Sequence, residues 1–384
     1  MLTGPTLLLM GDGLLGKYPM KVAFRVDSSL EIGTGHVMRC LALADSIRRL
    51  GCKCIFLSRD LPGSSIETIN DKGFELITLP KVNDNNKAEA KEGEVAHASW
   101  LGVHWSRDVT DCLNAIGSSK VDCLIVDHYA LNVKWEKSIR SRCNRLLVID
   151  DLADRRHDCD VLIDQNLGRS NHDYDALIPR ASQKLIGPKY ALLRPEFHNW
   201  RVKSLNRRGK CTVRKLIISM GGVDKDNSTS AVLEALKRCN LPDQVSIKVI
   251  LGLKAPYLKE VKALLKTMGY DSELLVNIND MAKVMSDADI AIGTPGSTSW
   301  ERCCLGLPSF LVVTADNQIS VGKALDCYGA AVLIGSINNI ATSLPEKLKL
   351  HFENPELLDE MAKKAASICD GLGIKRITDE AFSC

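Results

Sequence analysis

The feature that most constrains this chain is an alternation. Short runs rich in Val, Ile and Leu take turns with stretches whose apolar residues recur at helical spacing. The pattern predicts strands over residues 22–26, 54–57, 74–79, 123–126, 146–149, 161–163 and 184–186. Helices are predicted between them, over 36–50, 64–72, 106–115 and 132–142. Strands that are apolar on both sides belong to a parallel sheet with helices on both faces. The pattern then begins again at residue 215. Further strands are predicted over 245–251, 273–276, 288–292, 308–313 and 331–334, with helices over 228–238, 257–268, 281–286, 297–305 and 317–328. Residues 355–384 read as helical and suited to pack back across the junction. Each half opens as strand, glycine loop, helix. The fold class is therefore α/β, with two similar halves facing each other across a cleft.

A chain of 384 residues is long enough for two cores. The first domain is expected over 20–197 and the second over 211–384. Residues 198–210, dense in Lys and Arg, read as the linker. Met20-Lys21 runs straight into the first strand, so residues 1–19 read as a disordered or artefactual extension. Residues 81–104 are polar and irregular and read as a long, partly helical surface connection. Fifty basic against 47 acidic residues leave a net charge of +3, which gives no reason to expect nucleic acid. No apolar run approaches the ~20 residues of a membrane span. The 14 cysteines are scattered, without a secretory signal or zinc-type pairs, which points to buried thiols in the cytoplasm.

Three glycine loops carry the candidate chemistry. Gly33-Thr34-Gly35-His36 follows the first strand and puts His36 in the first turn of a helix. Unpaired N–H groups and a positive dipole end suit an anion such as a diphosphate there. The same dipole disfavours an imidazolium and leaves an imidazole able to accept a proton. The loop lacks the third glycine of a dinucleotide fingerprint and the Gly-Lys-Ser/Thr of a P-loop. A catalytic base and an inert helix-cap histidine both fit these residues.

Met220-Gly221-Gly222 lets the backbone approach a ligand closely, and Asn227 or Ser228 is placed to cap the helix that follows. An ordinary αβ turn fits as well. Gly293-Thr294-Pro295-Gly296 leads into a helix capped by Ser297, Thr298 or Ser299, a setting for phosphate. Glu301 fits either a ribose diol or the acidic end of a capping box with Thr298. Asp127-His128-Tyr129 and Asp150-Asp151 end two strands. With only Asp154 nearby, they suit loop hydrogen bonds better than a metal.

Several of these stretches recur together in a known family. They are Phe24-Arg25-Val26-Asp27-Ser28-Ser29, Ile32-Gly33-Thr34-Gly35-His36, Ile125-Val126-Asp127-His128-Tyr129, the run 185–197, Met220-Gly221-Gly222 and Gly296-Ser297-Thr298-Ser299-Trp300-Glu301. In this order, over residues 20–330, the chain resembles the UDP-2,4-diacetamido-2,4,6-trideoxy-β-L-altropyranose hydrolases of pseudaminic acid biosynthesis. Spore-coat polysaccharide proteins look similar. The resemblance implies a GT-B fold, meaning two Rossmann-like domains of mainly parallel sheet with a cleft between them.

It also implies that His36 is the general base, with Gly33 and Gly35 in its loop, and that Tyr129 is an active-site tyrosine. Gly221, Gly222, Asn227, Ser297, Thr298 and Glu301 fall in the half that binds UDP. Trp300 departs from the pattern, because some members carry a polar amide there that approaches substrate. The extension over 1–19 has no counterpart. The implied substrate is a UDP-linked deoxyamino sugar, cleaved at its anomeric C–O bond by water with inversion and without cofactor or metal. The alternatives are a GT-B glycosyltransferase with the same donor half and a non-catalytic nucleotide-sugar binder.

Overall fold

A computed structural model describes residues 19–81, 95–209, 213–242 and 244–382. Residues 1–18 of the expected extension and 82–94 of the expected surface connection lie outside the described residues.

The first sheet is built from β1 (Lys21–Val26), β2 (Lys53–Arg59), β3 (Glu75–Leu79), β4 (Val121–Asp127), β5 (Cys143–Ile149), β6 (Val161–Asp164) and β7 (Gln183–Ile186). Between these strands lie α1 (Gly35–Arg49), α2 (Ile66–Asp71), α3 (Trp105–Ile116) and α4 (Val133–Ile139). Every pairing in it is parallel, in the order β3-β2-β1-β4-β5-β6-β7. Val22, Phe24 and Val26 of β1 pack against Val37, Cys40, Leu41 and Ala44 of α1. Ala23 turns the other way, toward Leu124, Val126 and Trp135. A strand buried on both faces cannot alternate apolar with polar residues, and this is why the strands read as continuous apolar runs.

Helix α5 (Pro195–Arg207) leads into the second sheet. Its strands are β8 (Lys215–Ser219), β9 (Ser246–Leu251), β10 (Asp271–Val276), β11 (Ile290–Gly293), β12 (Ser309–Val313) and β13 (Val332–Ser336). The accompanying helices are α6 (Ser228–Leu236), α7 (Leu258–Leu265), α8 (Met281–Asp287), α9 (Ser297–Cys304) and α10 (Ile319–Tyr328). This sheet too is wholly parallel, in the order β10-β9-β8-β11-β12-β13. The chain closes with α11 (Ile340–Glu353), α12 (Pro355–Ile368) and α13 (Gly373–Ala381). The molecule therefore consists of two Rossmann-like domains, as expected. In both sheets the strand order reverses beside the first strand, between β1 and β4 and between β8 and β11. Such reversals open a crevice at the carboxyl ends of the strands.

Two features differ from the sequence reading. The expected linker is helical as far as Arg207. Its arginines are engaged with the second domain: Arg201 donates to the carbonyls of Cys304, Cys369 and Ala366, near the C-terminal ends of α9 and α12. Guanidinium groups satisfy carbonyls that a helix end leaves unpaired. Helix α11 was not anticipated, since Pro345 interrupts its pattern, yet Ile340, Leu344 and Leu348 bury a continuous stripe. Helix α13 returns to the first domain, where Ile374, Ile377 and Ala381 join the core under α1. The chain thus crosses between domains twice. The crossings touch, with the His198 ring 2.9 Å from the Asp370 carbonyl.

Candidate active site

The candidate residues of the first domain gather at the reversal between β1 and β4. Parallel pairing brings Val26 opposite Asp127, so the loop after β1 and the loop after β4 leave the sheet side by side. Gly33 adopts φ +77°, which turns the loop into α1. His36 then sits in the first turn of that helix, 8% exposed. Its Nδ1 lies 2.6 Å from Oδ1 of the buried Asp127.

The state of Asp127 decides the tautomer of His36. Burial alone would raise the Asp127 carboxyl, but Arg39 and His36 outweigh it and hold it well below the usual carboxylate range. Arg39 grips the same carboxylate with Nε and Nη2, both at 2.6 Å. An ionised carboxylate only accepts hydrogen bonds, so Nδ1 must donate. In the neutral ring this leaves a lone pair on Nε2. Arg39 also reaches Asp151, which accepts the Tyr129 hydroxyl at 2.9 Å. Tyr129 is therefore committed at its hydroxyl and presents its ring, edge to face, to His36 at 4.6 Å between centroids. The second oxygen of Asp151, Oδ1, is buried without a partner.

The second domain contributes the loops after β8 and β11, at its own reversal. Gly222 and Gly35 mark where the two domains meet. A side-chain carbon on Gly222 would stand 3.3 Å from Thr34 Oγ1, and one on Gly35 would stand 3.3 Å from Ser297 Oγ. The N-terminus of α9 thus abuts the N-terminus of α1. Neither end has a side-chain cap, since Thr34 and Gly296 occupy the N-cap positions without capping bonds. Two positive dipole ends repel unless an anion sits between them. On the flank, Lys225 reaches Glu31 at 3.3 Å, while Lys254 reaches Glu67 at 2.7 Å and the Ser64 carbonyl at 3.0 Å.

Three expectations about this half are corrected. None of Ser297, Thr298 and Ser299 caps α9, whose N-cap position is held by Gly296 without a side-chain bond. Neither Asn227 nor Ser228 caps α6. Asn227 stands at φ +53° without a capping bond, and Asp224 accepts from the Ser228 and Thr229 amides at 2.9 Å each. A carboxylate already occupies that helix end, so it offers less to an anion than α9 does. The capping box between Thr298 and Glu301 is not formed, because the helix begins at Ser297 after Gly296. Glu301 instead faces Arg194 at 3.7 Å and stays 16% exposed. Burial pushes it up to about 6, against the pull of Arg194 and Arg302. Trp300 is 1% exposed and belongs to the buried cluster that joins Ala191, Leu193 and Phe197 to the second domain.

Gly33, Gly35, His36 and Tyr129 therefore stand together, and Gly221, Gly222, Ser297 and Thr298 approach them from across the cleft. Sequence reading missed Arg39, although its spacing of three from His36 puts both on one helical face. It also missed the surface connection's return. Residues 98–101 form a 3₁₀ turn that lays Trp100 along the Tyr129 ring, with centroids 5.8 Å apart. Among the described residues, no group of His, Cys, Asp and Glu is disposed to hold a metal. No helix there is long and apolar enough to cross a membrane.

No family model matches the chain. Relatives do. An uncharacterised protein of Methanocaldococcus jannaschii is 29% identical over 315 residues, 80% of this chain and 57% of that protein. The chain thus spans little more than half of that relative's length. The UDP-2,4-diacetamido-2,4,6-trideoxy-β-L-altropyranose hydrolase of Campylobacter jejuni is 27% identical, covering 82% of this chain and 98% of that enzyme. Spore coat polysaccharide biosynthesis protein SpsG of Bacillus subtilis is 22% identical over 94% and 97%. These relatives bear out the resemblance read from the sequence. In fold, MurG of Acinetobacter baumannii superposes with a TM-score of 0.66 at 19% identity, over 94% of this chain and 99% of that one. A UDP-GlcNAc 2-epimerase of Neisseria meningitidis, bound to UDP-GlcNAc, gives 0.60 at 14%, over 95% and 100%.

Proposed function

We propose that the protein processes a UDP-activated sugar, and that it hydrolyses a UDP-linked deoxy-acetamido sugar at the anomeric carbon. One observation carries this reading. Two uncapped helix N-termini meet across the cleft, beside an imidazole whose outer nitrogen a buried carboxylate has left free to accept a proton. The Campylobacter relative, a hydrolase of such a sugar that is similar over 98% of its own length, supplies the substrate class.

In this mechanism the diphosphate rests on the amides of Ser297 and Thr298 and of the α1 end. Gly33, Gly35, Gly221 and Gly222 let backbone approach it, Asn227 borders the same loop, and Glu301 accepts from the ribose diol. Water attacks the anomeric carbon from the face opposite UDP and gives its proton to His36 Nε2. The C–O bond breaks, and its electron pair leaves on the β-phosphate oxygen. The helix ends stabilise that growing charge. A single displacement inverts the anomeric centre. Asp127 keeps His36 in the accepting tautomer and stabilises the imidazolium that forms.

The test is hydrolysis of UDP-2,4-diacetamido-2,4,6-trideoxy-β-L-altropyranose in oxygen-18 water. The label should enter the free sugar and not UDP. His36→Ala should lose about 10²–10⁴-fold in turnover with UDP affinity nearly unchanged. Label in UDP would place the cleavage at phosphorus, and near-normal turnover by the mutant would remove His36 as the base. A glycosidic product formed only with an added sugar acceptor would make the protein a transferase.

A further inference from the structure

The mechanism leaves one part of this region unused. Residues 95–104 come back over the carboxyl end of the first sheet, and two of their rings continue the line that begins at His36. Tyr129 stands edge-on to His36 at 4.6 Å. Trp100 lies nearly parallel to Tyr129, at 28° and 5.8 Å, and His97 packs against both at 4.3 and 5.5 Å. These four rings form one continuous wall, no more than about 10 Å long from His36 to Trp100. Tyr129 is 5% exposed and its hydroxyl is tied to Asp151, so the middle of the wall cannot swing. Trp100 and His97 are each partly exposed. The wall is rigid at its buried end and open at its outer end.

From this we infer that Trp100, backed by His97 and Tyr129, is the platform on which the far edge of the sugar and its acyl arm lie. The ligand class is a pyranose whose far edge is made apolar by deoxy positions and acetamido methyls. The inference rests on the UDP-sugar reading above, because that reading puts the anomeric carbon near His36. From there a pyranose and one acyl arm span the distance to the indole. Aromatic faces hold C–H-rich surfaces through dispersion and the ring quadrupole, and a flat indole offers the largest such face at low cost in side-chain entropy. A hydroxyl-rich hexose has less to offer that surface. The platform therefore selects for the sugar and is indifferent to the nucleotide.

The experiment compares wild type, Trp100→Ala and Trp100→Phe, using UDP-2,4-diacetamido-2,4,6-trideoxy-β-L-altropyranose and UDP. Trp100→Ala is expected to lower kcat/KM at least tenfold, mostly through KM, with UDP affinity within twofold of wild type. Trp100→Phe keeps an aromatic face and should stay within about threefold. Wild-type kcat/KM in the alanine variant overturns the platform, and so do equal losses in both variants or a parallel loss of UDP affinity. A second arm separates this from failure of the hydrolase reading. If wild type releases no UDP, affinities for UDP and for intact UDP-2,4-diacetamido-2,4,6-trideoxy-β-L-altropyranose are compared by calorimetry. A sugar-dependent gain that disappears in Trp100→Ala upholds the platform without hydrolysis, and its persistence or absence refutes it.

Discussion

At the scale of single residues, Glu301 makes the most exacting demand. Burial holds its carboxyl at about 6, above an ordinary glutamate, so ionising it costs free energy in the folded chain alone. The folded state binds the proton more tightly than the unfolded state does. That penalty is fully present above about pH 6 and vanishes as pH falls below the ordinary glutamate value. Glu301→Gln should therefore raise unfolding stability at pH 8 by up to about 2 kcal/mol, with the gain gone by about pH 4. In the proposed mechanism the same change should weaken UDP binding, because the ribose diol would lose a charged acceptor. Urea melts and calorimetric UDP titrations at both pH values check the pair. A destabilised variant, or unchanged UDP affinity, counts against the role. His36 was visible in the sequence because a helix start and a glycine loop are local signals. Its partner Asp127 lies 91 positions away, and only the β1–β4 register brings them together.

At the scale of elements, β1 carries a charge where its pattern calls for an apolar residue. Arg25 is fully buried and donates to Asp27 and Asp108, while Arg59 of β2 donates to Asp108 and Asp111 of α3. Trp135 of α4 adds its indole N–H to Asp108 at 3.0 Å. One carboxylate thus ties two strands to two helices. Asp108→Ala would leave both guanidinium groups short of a partner out of water, which should cost about 3–5 kcal/mol in a denaturant titration. A loss below about 1 kcal/mol would mean that water or Asp111 takes its place. Strands and helices were legible because periodicity is local. This network was not, since Arg25 stands out in its strand but its partner Asp108 lies 83 positions away on a helix. The α6 cap escaped for the opposite reason: two plausible capping residues, Asn227 and Ser228, stood nearer the helix than Asp224, which does the capping.

At the scale of the whole molecule, both sheets reverse at the places where their glycine loops leave, and those loops were legible as loops. That they face one another depends on how the two domains are joined. Gly371 sits where the second crossing passes the first, at φ +81°, and a side-chain carbon there would lie 2.9 Å from Cys304 Sγ and 3.1 Å from His198. Gly371→Val should lower stability by at least about 2 kcal/mol, from a strained backbone and a blocked contact together. A thermal melt within a degree of wild type would show that the crossing yields. The paired crossings restrict more than stability. Two bodies joined at one flexible point can tumble freely, but two adjacent attachments define a line, and relative motion reduces to rotation about it. Opening and closing would then follow one path in one coordinate, returning Ser297 to Gly35 and Gly222 to Thr34 in register each time.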